Sequence, residues 1–503
     1  MTEPLLLGVD AGLTNVTAVV YDRSGTALAT ATAATPGHSP APGHDEQDHD
    51  ALWATAVEVV GDALGVQAVD PAAVEGVGVA GHGHGLYALD ADGEPVCGVK
   101  STDDRAAELL EDWRADGRLD RAADRLGWRP FGADPYSLLG WFDRERPAVA
   151  DRIDTLLFSK DVLTHRLTGA RTTDTMDGSA LVPPAGGVRS VLDVLGLGEY
   201  ESAVPERVES TATTGTVTAE AAAATGLPEG VPVAAGLHDV GACALGAGVT
   251  DPGQATVILG TWGQSVVVTD GPDEGTGGLP RRYLDGWLRY RGIRAGAACL
   301  DWFVDEFGEQ WREAARERDV DPYEVYERRA ASVPAGANGV LFHPYLDGST
   351  DDPAASGGFY GLGLETTREE LLRAVYDGVA TALALGVREF DRPVSDLRIG
   401  GGGARSSLWT DAFANLFDDT VRVPAAEEVG ARGAAVCGGV AAGVYESATA
   451  AVDETVTVER THDPDPATVE RYRRLAEAYE QARERMGPAW GTLMRFSGKE
   501  AGR

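Results

Sequence analysis

Lysine is almost missing from this chain. Of its 43 Lys and Arg residues only Lys100, Lys160 and Lys499 are lysines, against 79 Asp and Glu, which leaves a net charge of −36. A surface this acidic repels phosphodiester backbones and anionic headgroups, so neither nucleic acid nor membrane is an expected partner. The carboxylates are spread along the chain and 43% of its residues are hydrophobic, which sets it apart from an acidic disordered tail. A halophilic cytoplasm, where salt screens self-repulsion at short range, suits such a coat. Cysteine is scarce too. Cys97, Cys243, Cys299 and Cys437 stand far apart with no CxxC spacing, which points to reduced thiols rather than a disulfide framework or a thiolate metal site. The sequence shows no basic-then-apolar leader and no apolar run of membrane-spanning length, so a soluble, cytoplasmic protein is expected. A chain of 503 residues exceeds one ordinary core. We divide it into domains at 1–247 and 248–490, with a tail at 491–503.

What is present is a repeated hairpin. Residues 5–9, 16–21 and 27–33 read as three strands, the first two joined by Asp10-Ala11-Gly12-Leu13-Thr14-Asn15. Asp10, at a strand end, can hold Mg2+ through water, because a hard cation takes oxygen ligands. Gly12, Thr14 and Asn15 offer donors to a phosphate. Half a chain later, apolar runs at 255–259 and 266–269 flank Gly260-Thr261-Trp262-Gly263. His238 and Asp239 stand upstream, between a glycine-ended apolar run and a segment of small residues. One carboxylate facing a phosphate cradle suggests phosphoryl transfer, with Asp239 taking the hydroxyl proton. A further strand at 397–399 runs into Gly400-Gly401-Gly402-Gly403-Ala404-Arg405-Ser406 ahead of a helix. Bare backbone at Gly401, Gly402 and Gly403, with Ser406 beyond, suits a flat base and its phosphates.

The strand 74–80 runs into Gly81-His82-Gly83-His84-Gly85. An extended segment would put His82 and His84 on one side. Two readings follow: an HxH metal pair of a hydrolase, completed by His165 and His238, or a polar wall for a polyhydroxylated substrate, with Gly83 leaving room. Asp104-Arg105, acceptor and donor for adjacent hydroxyls, supports the second. Helices are expected at 48–65, 158–167 and 367–390, and an exposed charged helix at 466–486. Residues 172–179 read as a polar loop bordering the substrate, Lys160 and Asp161 as structural, and Glu427-Glu428 as an acidic turn before a helix at 431–442.

Gly357-Gly358-Phe359-Tyr360-Gly361-Leu362, followed after seven residues by ELLRAVYD at 370–377, fits a signature of the FGGY family of carbohydrate kinases. The chain resembles that family over nearly its whole length. The resemblance implies an α/β fold of two ribonuclease-H-like domains of the actin-like ATPase type, with sugar, ATP and Mg2+ in the cleft between them. It implies Asp239 as general base, Asp10–Thr14 and Gly260-Thr261 as phosphate turns, and Gly401-Gly402-Gly403 as the adenosine turn. His82, Gly83, His84, Asp104, Arg105 and His238 then line the substrate. GHGHGLYALD at 81–90, STDDRA at 101–106 and LGTWGQS at 259–265 look most like the L-xylulose and erythritol kinase branch. The expected reaction is ATP-dependent phosphorylation of a primary hydroxyl on a ketopentose or small polyol. A D-xylulose, ribulose or glycerol kinase of the same family and a non-catalytic sugar-binding sensor are the alternatives, and a homodimer is compatible with all of them.

Overall fold

The structure is a computed structural model that describes residues 3–183, 187–272, 278–349, 352, 354–425 and 428–496. Two sheets of seven strands dominate it, and they repeat one topology. In the first, Leu5–Ala11 pairs antiparallel with Asn15–Asp22, which pairs antiparallel with Ala27–Ala34. On its other side Leu5–Ala11 runs parallel to Val74–Gly81, and Pro232–Ala234 lies parallel beyond that. In the second sheet Gln254–Leu259, Gly263–Thr269 and Gly286–Ile293 form the antiparallel set. Asp396–Gly400 and then Val421–Pro424 extend it in parallel. These are the two ribonuclease-H-like sheets expected from the sequence.

Local chemistry explains the elements. LLLGVDA reads as a continuous apolar strand because it is central and nearly all of it is buried. ALATATAA alternates toward solvent because it lies at the sheet edge. The helix Arg368–Arg388 starts in a capping box: Thr367 Oγ1 accepts from the Glu370 amide and Glu370 Oε2 accepts from the Thr367 amide at 2.8 Å. His49–Leu64 is capped by Asp48, whose carboxylate accepts from the Ala51 amide at 2.9 Å.

The structure adds to one expectation and changes two. The small-residue segment after Asp239 is a helix, Asp239–Gly246, whose glycines and alanines allow close packing. Residues 172–179 form not a loop but a short strand and a helical turn, Thr172–Asp174 and Thr175–Gly178, whose Asp174 and Asp177 carboxyls pair with Lys160. The last helix runs Pro466–Phe496 and buries Tyr472, Ala476 and Tyr479 at helical spacing, so it belongs to the core and not only to the charged surface. Glu427 and the tail residues 497–503 lie outside the described residues. Among the described residues no helix is long and apolar enough to cross a membrane.

The two sheets are joined by the helix Val429–Ala441. In sequence it falls between Val421–Pro424 and Val458–His462 of the second sheet, but it lies on Leu5–Ala11 and Val74–Gly81 of the first, and against Asp239–Gly246. Backbone meets backbone there. A Cβ on Gly78 would sit 1.8 Å from the Ala434 carbonyl oxygen, and one on Gly8 1.9 Å from that of Ala431. Neither neighbour is a side chain that could swing aside. Gly78→Ala is therefore expected to force the helix off the sheet and to lower stability by about 1–3 kcal/mol. Denaturant midpoints of the two proteins check this, and a loss too small to resolve would mean the interface slides freely.

Candidate active site

Asp10 is the next-to-last residue of the first strand, opposite Thr17 and beside Ala80. Its Oδ1 is buried without a hydrogen-bond partner. A Cβ on Gly430 would meet Oδ2 at 2.0 Å, so the carboxyl abuts the first turn of the joining helix. Burial, then the charge of Glu428, pushes its pKa up to about 7. In the turn that follows, the Gly12 amide donates to the Asn15 carbonyl at 3.0 Å, and Thr35 Oγ1 donates to the Gly12 carbonyl at 2.7 Å. Gly12 thus shapes the turn but spends its own donor within it. The Leu13 and Thr14 amides and the Thr14 hydroxyl remain available, and Asn15, exposed, opens the second strand.

The second turn is built likewise. The Gly260 amide donates to the Trp262 carbonyl at 3.0 Å, and a neighbouring loop clasps the turn from behind through Gly296 to the Thr261 carbonyl at 2.7 Å. Thr261 stays exposed. The glycine run sits against the same strand end. Gly401 has φ +82°, and Cβ atoms on Gly401 and Gly403 would strike the Leu259 backbone and side chain, whereas one on Gly402 would meet nothing within 4 Å. Gly402 therefore presents the bare backbone, while Gly401 and Gly403 pack. The Ser406 hydroxyl accepts from the Trp409 amide at 3.3 Å as a helix cap, so its acceptor is already engaged.

Asp239 opens its helix, where the Val240 amide donates to Oδ1 at 2.7 Å. Its side chain keeps 32% exposure, yet enough protein surrounds the carboxyl that burial, then the charge of Asp10, pushes its pKa up to about 7. His238 Nδ1 accepts from the Val240 amide at 3.2 Å, leaving Nε2 toward the Tyr290 hydroxyl at 3.5 Å. The ring fills the place of a side chain at Gly83, where a Cβ would come within 1.6 Å of His238 Cδ2. This is why glycine stands between the two histidines. Burial holds both His84 and His238 well below the usual histidine range, so they are neutral at physiological pH.

The histidine pair is not extended. The strand ends at Gly81, and His84 takes φ +57°, a conformation rare outside glycine. His82 hydrogen-bonds Tyr87 at 3.0 Å, whereas His84 Nε2 meets the Tyr290 hydroxyl at 3.1 Å on the other sheet. His165 bonds the Ala170 carbonyl within its own helix end. Among the described residues no group of three or more His, Cys, Asp or Glu side chains could hold a metal ion, and the two-sheet topology differs from the (β/α)8 order a hydrolase of that kind needs.

Asp104 and Arg105 part company. Arg105 is turned away into a fork with Asp103 at 2.8–3.0 Å, an ion pair with Glu46 at 2.8 Å, and a stack on Trp141. Its side chain is only 2% exposed, with its donors engaged by these two carboxylates. The Asp104 carboxyl makes no side-chain hydrogen bond to the described residues. Sequence reasoning missed Tyr290 and Arg281, which reach His84 Nε2 at 3.1 and 3.4 Å from the other sheet and carry no local motif.

Residues 5–246 match the N-terminal domain of the FGGY family of carbohydrate kinases, and residues 255–442 match its C-terminal domain. The L-xylulose/3-keto-L-gulonate kinase of Escherichia coli is 29% identical over 486 residues, 94% of this chain and 95% of that protein. The erythritol kinase of Brucella abortus is 29% identical over 515 residues, 97% and 98% of the two chains. The crystal structure of a xylulose kinase from Rhodospirillum rubrum matches with a TM-score of 0.80 at 28% identity, over 97% of this chain and 100% of that one. With both halves matched and a turn of the same build closing each sheet's first hairpin, the chain belongs to the FGGY family of carbohydrate kinases and is a sugar kinase.

Proposed function

We propose that this kinase moves the γ-phosphoryl group of ATP to a primary hydroxyl of a neutral ketopentose or small polyol, L-xylulose- or erythritol-like, with Asp239 as general base. The observation that carries this reading is Asp239 itself. It is a cleft carboxyl near neutrality, at a helix N-terminus, beside the first hairpin's Asp10. As the substrate oxygen bonds to phosphorus, its proton passes to Asp239 and the bond from phosphorus to the ADP oxygen breaks. Thr14 and Thr261, with the open amides of their turns, take up charge on the transferring group. Gly402 offers backbone against which the adenosine half can lie.

Asp10 fits a Mg2+ ion. Its oxygen without a partner and the charge it shares with Asp239 leave room for a cation that takes few protein ligands and keeps water and phosphate oxygens. When bound, Mg2+ neutralises phosphate charge. His84 and His238, held neutral, exchange hydrogen bonds with sugar hydroxyls without adding charge. The match to an erythritol kinase over 97–98% of both chains and to an L-xylulose/3-keto-L-gulonate kinase over 94–95% supports a small sugar or polyol as substrate.

The test is ADP release with Mg-ATP in molar KCl against L- and D-xylulose, L- and D-ribulose, erythritol, glycerol and gluconate. We expect one strong neutral responder, silent with Asp239→Asn. Binding of ATP and sugar with no turnover on any member would favour a sensor.

A further inference from the structure

The histidines of the sugar wall meet side chains from the other half. Tyr290 stands in the strand Gly286–Ile293 and Arg281 in its neighbour Leu279–Tyr283, both of the second sheet, and both side chains are buried. The Tyr290 hydroxyl lies 3.1 Å from His84 Nε2 and 3.5 Å from His238 Nε2, both of the first half. Arg281 Nη2 lies 3.4 Å from the same His84 Nε2. Its guanidinium is held by a stack on Trp128, 4.6 Å to the ring centre, and its Nη1 donates to the Pro280 carbonyl at 2.9 Å. At the far end of the row, His238 Nδ1 lies 3.2 Å from the Val240 amide and 3.1 Å from Asp239 Oδ1.

The row has a direction. A guanidinium only donates, so His84 Nε2 carries a lone pair and the ring keeps its proton on Nδ1. The Tyr290 hydroxyl has one proton. His84 Nε2 is its nearer neighbour and an acceptor, so the proton points there and the phenol oxygen is left to accept. His238 then donates from Nε2, and its Nδ1 is bare. The Val240 amide agrees with this, since it points at His238 Nδ1 as well as at Asp239 Oδ1, 2.7 Å away. The opposite tautomer at His84 would set donor against donor at a buried site, where an unmet group costs a factor of about ten or more in population. His84 Nδ1 itself is buried and meets no partner among the described residues, so its N–H is the one donor of the ring left for a sugar oxygen.

We propose that Tyr290 and Arg281 are positioning residues by which the second half fixes the tautomers of His84 and His238, giving the sugar a donor at His84 Nδ1 and Asp239 a bare nitrogen at His238 Nδ1. This rests on the reading of Asp239 as general base and adds what keeps that base free. A proton on His238 Nδ1 would be donated to Asp239 Oδ1 and engage the oxygen that has to take the sugar's proton. With Nδ1 bare the carboxylate stays uncommitted. Once the proton of the sugar hydroxyl has moved to Oδ1, the new O–H can donate to Nδ1. The first half cannot set this direction alone, since Arg281 and Tyr290 both come from the second sheet.

Nitrogen-15 NMR of the full chain, labelled at histidine, tests it, because couplings between ring nitrogens and ring protons tell Nδ1–H from Nε2–H. The chain has nine histidines, and His84→Gln and His238→Gln assign the two signals. In wild type at neutral pH we expect the Nδ1–H form at His84 and the Nε2–H form at His238. Tyr290→Phe should populate the Nδ1–H form of His238. Arg281→Lys, which still only donates, should keep the wild-type pattern, whereas Arg281→Met should let both rings change together. Either wild-type ring in the opposite form overturns the proposal, as does a wild-type spectrum of both rings in Tyr290→Phe. The wild-type spectrum decides even where a variant fails to fold. In turnover with the best substrate of the panel, Tyr290→Phe is expected to lower kcat about 2- to 10-fold, the worth of one hydrogen bond, with KM for Mg-ATP unchanged. An unchanged kcat would overturn the link to Asp239. Absence of turnover on every panel member would defeat the kinase reading, while the spectra would still settle the tautomers.

Discussion

Asp239→Asn should lose sugar phosphorylation by about 10²- to 10⁴-fold, the range for removing a positioned general base. ATP affinity should hold, because neither hairpin turn uses Asp239 in its own hydrogen bonds. The change is nearly isosteric, and the amide oxygen can still accept from Val240, so the helix start survives. A direct nucleotide-binding measurement beside ADP release separates the two effects. Retention of a tenth of the rate would remove Asp239 from the role. The pH profile gives an independent check. Asp239 must be ionised to accept a proton, and its pKa is raised to about 7, so kcat/KM for the sugar should fall about tenfold per pH unit below 7 and level off above. Asp10 is raised to about 7 as well and the two repel, so the limb reports the pair rather than one group. The stability sign is opposite. The native carboxyls hold protons that the unfolded chain has released above pH 4, so ligand-free stability should decline from about pH 4 toward pH 7.

The second large effect is structural. Lys160 is completely buried, with Nζ 2.5 Å from Asp161 Oδ1, 3.0 Å from Asp174 Oδ1 and 3.4 Å from Asp177 Oδ2. Burial alone would lower its pKa, but the three carboxylates prevail and drive it upward. Asp174 is further held by the Met176 and Asp177 amides and by Ser210 Oγ at 2.7 Å. Lys160→Met would leave three buried acids around an apolar side chain. The expected loss is about 3–5 kcal/mol, as for breaking a buried ion pair by removing one partner. At least one acid must then stay protonated, so the deficit should grow as pH rises. Chemical denaturation at pH 6 and pH 8 measures both. A deficit below about 1 kcal/mol, or one that shrinks at pH 8, would mean the cluster relaxes on its own.

Much of the molecule was legible before folding. Leu5–Val9 and Ala255–Leu259 announce central strands by their mostly apolar character, and Gly12 and Gly260 announce the turns after them. Thr367 and Glu370 mark a helix start three residues apart, which is local chemistry. Asp239 was identifiable because it stands among residues too small to hide it. The helix it opens was not, since alanine and glycine serve a loop or a tightly packed helix equally well until the Val429–Ala441 contact is known. Tyr472, Ala476 and Tyr479 did carry a helical stripe, hidden among the charges of the last helix.

The sequence by itself determined the duplicated hairpin, the acidic coat and the residue types that phosphoryl transfer requires, because each depends on neighbours within a few positions. Tertiary structure alone decided which donors are open and which are spent. Arg105 looked available until Glu46 reached it from a separate loop, and His84 gained Tyr290 from 206 residues away. It also set the proton affinities of Asp10 and Asp239, since burial and mutual charge exist only once the two halves close around them.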